Sequence, residues 1–242
     1  MGDEQYWDSL AAFNDKLYSS EWCHFEDQIL KNDLSNLLRR APGRRILDLG
    51  CGTGLGYELL KDEGANIDYL GVDISSEMLA AFRSKHPDAN LIKSSACDIL
   101  NHIAGQKFDL IVSTNVAASF FPNIESVIEK IHGLLVSNGI VSLSVLNRFS
   151  LRRILGMKCF SVESDYKSRG DVLSTLPISA RTFYKGEMKG KLLSRGFREV
   201  DCQFRSVLGG VLEHSKLLGL ERFLSKSVPG LGHAMIVSGK KM

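Results

Sequence analysis

The chain has 242 residues, of which 44% are hydrophobic, and it carries a formal net charge of +2. This length and composition suit one α/β domain with a full hydrophobic core, and the small charge indicates no dependence on a polyanionic partner. No apolar run approaches the 18 residues that a membrane span needs, and five scattered cysteines form no C-x-x-C pair, so we expect a reducing, cytoplasmic setting without a metal site.

The first 40 residues are predicted to form a helical cap that precedes the first strand. Apolar residues recur at helical spacing in two stretches, residues 5–17 and 26–38. Between the two stretches lies the sequence LYSSEWCHFED, which places two aromatic residues, Tyr18 and Trp22, in the connection. We expect at least one of these rings to cover a ligand site, and docking of the cap on the core is the alternative, which we favour for Trp22.

A short apolar strand, a glycine turn and a helix follow at residues 44–60. The sequence is RRILDLGCGTGLGYELL, with Asp48 two residues before the first of four glycines at alternate positions. Glycine permits positive φ and close approach of a ligand to the backbone, and a helix N-terminus offers free N–H groups. We therefore expect a cofactor to lie across this turn. The G-x-G-x-x-G fingerprint of dinucleotide-binding proteins fits at no register of the glycines.

The string DLGCGTGLG resembles the first motif of class I S-adenosylmethionine-dependent methyltransferases. The resemblance covers residues 46–145 and implies that S-adenosyl-L-methionine is the cofactor and S-adenosyl-L-homocysteine the product. It implies contacts to the cofactor from the motif itself and from Tyr18 in the cap. The motif residues are Asp48, Gly50, Cys51, Gly52 and Gly54.

A second predicted strand, residues 69–72, ends at Asp73. This acid lies 19 residues after Gly54, which is the spacing expected of a carboxylate that accepts the hydrogen bonds of two ribose hydroxyls. The alternative is a helix cap, but Ser75 and Ser76 are available for that role. The resemblance extends the cofactor site to Ile74 and to Met78 on the next helix.

The third strand, predicted at residues 90–94, is followed by SSACDIL. In the family that the chain resembles, an acid at this place accepts a hydrogen bond from the adenine amino group and the next backbone N–H reaches the ring. The matching residues are Asp98 and Ile99, and Cys97 is expected to line the adenine slot. The alternative is that Asp98 caps a loop or helix.

The fourth strand, FDLIVS at residues 108–113, is almost wholly apolar, as expected for a strand covered on both faces. Because open α/β sheets bind ligands outside the carboxyl ends of their strands, Asn115 and Val116 are expected near the methyl group or its acceptor. Many relatives carry a histidine pair in the following turn, whereas this chain has Ala118 and Ser119. Phe120 is a candidate acceptor contact.

The next segments predict scaffold and then a basic lid. Residues 124–135 carry a helical apolar stripe, residues 139–146 form the fifth strand, and Asn147 at its end is a candidate acceptor contact. Residues 150–195 hold ten Lys or Arg and four acids. Either Arg152, Arg153 or Arg181 holds an anionic acceptor, or this segment is a basic face that is solvated or pairs with the acidic N-terminal arm.

The last segments predict a helix from Tyr184, itself a candidate acceptor contact, to Gly196 and then two antiparallel strands at residues 200–207 and 233–238. The expected fold is an α/β, doubly wound, Rossmann-like sandwich. It has a seven-stranded, mostly parallel sheet with an antiparallel last strand. The domains are a helical cap (1–40) and a methyltransferase domain (41–242) with an acceptor lid at about 150–182.

The predicted function is methyl transfer to a small-molecule acceptor by in-line displacement. No catalytic base is assigned, we expect no nucleic-acid partner and no membrane span, and the oligomeric state is left open. Two alternatives remain at this point. One is an RNA or protein methyltransferase that docks through residues 150–195, and the other is a non-catalytic cofactor-binding protein of the same fold.

Overall fold

A computed structural model describes residues 3–61, 66–156, 178, 180–209, 211–212 and 214–242. The α-helices are α1 (Asp3–Leu10), α2 (Asn14–Leu17), α3 (Glu21–Arg40), α4 (Leu55–Lys61), α5 (Ser76–Lys85), α6 (Leu100–Ile103), α7 (Ile124–Leu134), α8 (Leu151–Ile154), α9 (Lys185–Ser194) and α10 (Leu218–Ser227). The strands are β1 (Arg45–Leu49), β2 (Asp68–Asp73), β3 (Asn90–Lys93), β4 (Phe108–Ser113), β5 (Leu135–Asn147), β6 (Thr182–Phe183), β7 (Phe197–Arg205) and β8 (Ala234–Lys241). Short 3₁₀ turns lie at Ala117–Phe120, Ser215–Leu217 and Pro229–Leu231.

The strands form one sheet in the order β3-β2-β1-β4-β5-β8-β7, and the two-residue strand β6 pairs with β5 outside this path. Strands β1 to β6 pair in parallel, whereas β8 runs antiparallel to both β5 and β7. The predicted doubly wound, mostly parallel sheet with an antiparallel last strand is confirmed. The carboxyl ends of β1, β2 and β4 therefore meet at one edge, where ligands bind in open α/β sheets.

Two apolar layers cover the sheet, one on each face. Helices α7 and α9 pack on one face, and the predicted stripe of α7 is buried there, from Ile124 to Leu134. Helices α3, α4 and α5 pack on the other face against residues of β1 and β4 such as Ile46 and Val112. Strand β4 is buried on both faces, as its nearly continuous apolar sequence predicts.

The N-terminal arm, residues 3–40, contains three helices, whereas the sequence pattern predicts two. Residues 11–13 form a turn that separates α1 from α2, so the predicted helix over 5–17 is interrupted. Helix α3 begins at Glu21, five residues earlier than predicted, because the Ser20 hydroxyl accepts a hydrogen bond from the Cys23 N–H and caps the first turn.

The described C-terminal part contains two elements that the sequence analysis does not predict, the short strand β6 and the helix α10. The buried Glu221 of α10 accepts hydrogen bonds from the N–H groups of Val207 and Leu208. Most of the predicted lid, residues 157–177 and 179, lies outside the described residues. In the described part of the chain, no helix has the length and apolar character needed to cross a bilayer.

Candidate cofactor and acceptor site

The glycine loop between β1 and α4 adopts backbone conformations that side chains rarely tolerate. The φ angles of Gly50, Gly52 and Gly54 are 77°, 52° and 100°. A Cβ on Gly54 would lie 2.7 Å from the Phe82 ring, whereas a Cβ on Gly52 would meet no atom within 4 Å. Gly54 is therefore required for packing, and Gly52 presents open backbone to a ligand.

Asp73, the last residue of β2, joins the glycine loop to helix α5. Its Oδ2 accepts a hydrogen bond from the Gly52 N–H and its Oδ1 accepts one from the Ser75 N–H, both at 2.9 Å. Burial raises the pKa of this carboxyl group, and the backbone N–H groups of Ser75 and Gly52 oppose that rise. Only 9% of the residue is exposed, so its remaining acceptor positions face a small, nearly enclosed space.

Asp48 lies beneath the loop rather than in the space above it. The residue is fully buried, and its Oδ2 accepts a hydrogen bond of 2.8 Å from the Tyr69 hydroxyl. A Cβ on Gly56 in α4 would lie 2.7 Å from the same oxygen, so the carboxyl group packs against the start of that helix. Asp48 therefore does not line the cavity above the loop, although its carboxyl group lies directly beneath that loop.

A first cavity lies above the loop, at the carboxyl ends of β1, β2 and β4. It is lined by eight of the predicted cofactor residues: Tyr18, Gly50, Cys51, Gly52, Asp73, Ile74, Met78 and Asn115. The other predicted residues do not line it: Asp48, Gly54, Cys97, Asp98, Ile99 and Val116. Phe120, predicted as an acceptor contact, also lines this first cavity.

The residues predicted to contact adenine follow directly after those that line the first cavity. Residues 94–96 line the cavity, whereas Cys97, Asp98 and Ile99 do not. The Asp98 carboxylate accepts a hydrogen bond of 2.6 Å from the Ser95 hydroxyl, which itself accepts one of 3.1 Å from the Asp98 N–H. Ile99 is buried in the core.

The N-terminal arm closes the first cavity from above. Trp7 lines the cavity and packs edge to face on Phe120, with 5.0 Å between the ring centroids. Asp15 accepts a 2.5 Å hydrogen bond from the Thr53 hydroxyl, and Asn14 donates to the same hydroxyl at 3.1 Å. Sequence reasoning missed Trp7 and Asn14, because only the folded arm brings them to the glycine loop.

The loop after β4 carries two strained residues at the mouth of the site. Asn115 and Val116 have φ angles of 46° and 55°, a conformation that is rare for a β-branched residue. The Val116 N–H donates a 3.0 Å hydrogen bond to the Ser144 hydroxyl, and the Ala117 N–H donates to the Thr114 carbonyl. These bonds hold a strained turn beside the cavity, as is common at functional sites.

A second cavity lies between α3 and the face of the sheet formed by β4, β5 and β8. Tyr18, Thr114 and Asn115 line both cavities, so the two meet at the carboxyl end of β4. They measure about 180 and 420 Å³ and together fall within the size range of small-molecule sites. Val116 and Trp22 line the second cavity.

The predicted acceptor residues separate into two groups. Arg152 lines the second cavity. Arg181 instead forms an ion pair of 2.9 Å with Glu187 on α9, and Tyr184 is exposed beside Arg148. Asn147 is buried and its amide donates to the carbonyl groups of Gly230 and Gly232.

These four residues therefore differ in what they can contact. Arg181, Tyr184 and Asn147 line neither cavity. Arg152 alone of the four reaches the second cavity.

The geometry suits a nucleoside ligand in the first cavity. Open backbone at Gly52, a carboxylate at the end of β2 and the apolar side chains of Ile74 and Met78 provide the groups that a ribose and a planar base require. No cluster of three His, Cys, Asp or Glu side chains arranged to hold a metal occurs in the described parts of the chain.

Comparison with known proteins agrees with this geometry. Residues 47–141 match a family model described as a methyltransferase domain. A trans-aconitate 2-methyltransferase of Variovorax paradoxus is 30% identical over 139 residues, 56% of this chain and 51% of the relative. A malonyl-[acyl-carrier protein] O-methyltransferase of Acetivibrio thermocellus is 28% identical over 109 residues, 45% of this chain and 38% of the relative.

A solved structure shows the same fold. The crystal structure of a SAM-dependent methyltransferase from Archaeoglobus fulgidus superposes with a TM-score of 0.60 at 19% identity, covering 89% of this chain and 94% of that one. The chain spans about half the length of the first curated relatives that it matches. Residues 47–141 therefore match a methyltransferase domain, and the fold is that of S-adenosylmethionine-dependent methyltransferases.

Proposed function

We propose that this chain transfers the methyl group of S-adenosylmethionine to a small-molecule acceptor. The observation that carries the proposal is the junction of the two cavities at Thr114 and Asn115. A cofactor beneath the arm and an acceptor beneath α3 would meet there, at the carboxyl end of a central strand. The name of one relative, a trans-aconitate 2-methyltransferase, supports a small acceptor, because trans-aconitate is a small organic acid.

The residues of the first cavity would bind and orient the cofactor. When bound, S-adenosylmethionine supplies a methyl group on a positively charged sulfur, which leaves as a neutral sulfide. Asp73 would accept hydrogen bonds from the ribose hydroxyls, and the open backbone at Gly52 would face the chain of the ligand. The edge-to-face pair of Trp7 and Phe120 would exclude water from one side.

The residues at the junction between the cavities would position the acceptor for the reaction. Its three shared residues, Tyr18, Thr114 and Asn115, carry hydroxyl and amide groups and no charge at neutral pH. Alignment of reacting atoms alone contributes roughly 7–11 kcal/mol to such displacements. An acceptor that is already deprotonated, such as a carboxylate, needs no base at this place.

The described basic residues of 150–195 give less support to a nucleic-acid acceptor. Arg181 and Lys191 form ion pairs with Glu187, and Arg195 lies 3.6 Å from Glu129. These cations are thus partly neutralised on the side of the molecule that carries α7 and α9. A phosphate backbone would have to compete with those carboxylates.

The test is an assay of S-adenosylhomocysteine release with separate panels of small carboxylic acids, phenols, amines and a structured RNA. The proposal predicts turnover with at least one small-molecule class and none with RNA. Turnover with RNA alone would contradict the small acceptor. Cofactor binding without turnover on any panel would favour the non-catalytic alternative.

A further inference from the structure

The end of the second cavity farthest from the glycine loop contains two polar groups that lack partners. The Nε of Arg152 and the Nδ1 of His233 are buried, and neither has a hydrogen-bond partner in the structure. Burying such groups without partners is destabilising, and more so for a charged group. A bound ligand that supplies partners to both would remove that cost.

His233 is held firmly by its backbone. Its N–H donates to the Ser206 carbonyl at 2.8 Å, and its own carbonyl accepts from the Asn147 N–H at 2.9 Å. The ring is therefore fixed where the end of β5 meets the chain between β7 and β8. Burial, together with the charges of Arg153 and Arg152, lowers the pKa of the imidazole to about 3, so the ring is neutral at physiological pH.

The carboxylates that line the second cavity are already engaged by other groups. Glu26 accepts hydrogen bonds from the Trp22 indole and the Ser206 hydroxyl. Asp33 pairs with Arg205 at 2.7 Å, and Glu221 accepts from two backbone N–H groups.

Two charged residues of this cavity remain. Burial raises the pKa of the Asp27 carboxyl group, the charge of His24 opposes that rise, and the charge of Glu58 adds to it. Arg152 has no carboxylate within ion-pair distance among the described residues. Arg152 and His233 therefore provide a cation and a neutral imidazole with which no carboxylate of the described residues pairs.

We propose that Arg152 and His233 form an anion-binding subsite, and that the methyl acceptor carries a carboxylate or phosphate that binds there. The guanidinium would pair with the oxyanion, and the Nδ1–H tautomer of His233 would donate a second hydrogen bond to it. An arginine fork matches the geometry of both groups, and hydrogen bonds between charged partners are about twice as strong as neutral ones. This inference rests on the proposed function, because it assigns the second cavity to the acceptor.

The subsite explains how the acceptor would be oriented. Its anionic group would bind at the far end, between α8 and the start of β8, and the remainder would extend toward Thr114 and Asn115. The part of the acceptor near the junction would then face the methyl group. Arg152 and His233 act as positioning residues in this scheme, since they do not touch the reacting atoms.

The experiment uses the full chain and four aromatic probes of similar size: benzoate, phenyl phosphate, benzyl alcohol and benzylamine. Binding is measured by calorimetry with and without saturating S-adenosylhomocysteine. We expect benzoate or phenyl phosphate to bind and the neutral and cationic probes to bind at least about tenfold more weakly. The charge-removing variant Arg152→Gln should weaken anion binding by about tenfold to a hundredfold, and Arg152→Lys should restore part of it.

Arg195→Gln is the matched control, because Arg195 is an arginine on α9 that lies outside both cavities. It should leave anion binding unchanged. Histidine NMR at neutral pH gives a second readout: benzoate should shift the ring resonances of His233 in the wild-type chain and have no such effect in Arg152→Gln.

Three results would each overturn the subsite: benzyl alcohol binding as tightly as benzoate, equal anion affinity in wild type and Arg152→Gln, or no binding of either anion. Failure of S-adenosylhomocysteine to bind would instead contradict the proposed function. The two failures are separate, because the anion titration is also performed without the cofactor product.

Discussion

Asp48 is the buried acid on which the glycine loop rests. Burial raises the pKa of its carboxyl group to about 7, the Tyr69 hydroxyl opposes that rise, and the charge of Asp73 adds to it. The thiol of Cys51 faces the same group, and burial raises its pKa well above the ordinary value. Asp48 thus differs from Asp73 in role as well as in position: one supports the loop from below, and the other faces the ligand.

This raised pKa predicts how stability depends on pH. The unfolded chain releases the Asp48 proton near its ordinary value of 3.8, whereas the folded chain holds it to about pH 7. The stabilisation from the protonated carboxyl group is therefore fully present below about pH 4 and is lost as the pH rises to 7. Linkage puts the upper limit of this loss at about 4 kcal/mol.

The measurement is the melting temperature of the wild type and of Asp48→Asn between pH 4 and 8. The amide cannot ionise, and its oxygen still accepts a hydrogen bond from Tyr69. The melting temperature of the variant should therefore rise relative to that of the wild type as the pH increases to 7, and the difference should stay constant above pH 7. Asp68→Asn, at the exposed start of the same strand as Tyr69, is the control and should follow the wild type. Parallel curves for Asp48→Asn and wild type would disprove the assigned ionisation.

The N-terminal arm is the element that covers the cofactor cavity. Its polar contacts to the body include three beside this cavity: Asp8 accepts from the Ser75 hydroxyl at 2.6 Å, Asp15 pairs with Lys85 at 2.8 Å, and Asp15 also accepts from the Thr53 hydroxyl. We therefore expect movement of the arm to accompany entry and release of the cofactor.

Loss of the Asp15 contacts should loosen this cover. Asp15→Ala is expected to speed dissociation of S-adenosylhomocysteine by about tenfold, because a charged hydrogen bond contributes about 1.5–3 kcal/mol. Stopped-flow dissociation measures the rate, and hydrogen exchange over α1 and α2 measures the opening of the arm. Glu4→Ala breaks an exposed pair with Lys93 on the same arm and should change the rate little. An unchanged rate in Asp15→Ala would show that the arm does not gate the cavity.

Across the whole molecule, the features that could be predicted from the sequence are those that depend on residues close together in the chain. The strand, glycine turn and helix at 44–60, the acid after β2 and the stripe of α7 all depend on neighbours in the chain, and the structure has each at its predicted place. Asp73 was identified by its distance from Gly54 and by its place at the end of the second predicted strand. Such features follow from backbone conformation and periodicity.

Features that depend on tertiary contacts could not be predicted in this way. Trp7 reaches the cavity only because α1 folds across α5, and His233 reaches Arg152 only because β8 lies between β5 and β7. The residues of this segment that line the cavity, 94–96, lie three positions before the predicted adenine contacts at 97–99. No periodicity in the sequence indicates that Trp7 reaches the cavity or that His233 lies near Arg152.

The central claim is that the cavity above the glycine loop binds the nucleoside of S-adenosylmethionine through Asp73. Calorimetric titration of the full chain with S-adenosylhomocysteine, with NAD in parallel, tests it most directly. We predict binding of S-adenosylhomocysteine and none of NAD. Asp73→Ala should weaken that binding by about tenfold to a hundredfold, whereas Asp68→Ala at the other end of β2 should not. Binding of NAD instead, or equal affinity in Asp73→Ala and wild type with both chains folded, would contradict the account.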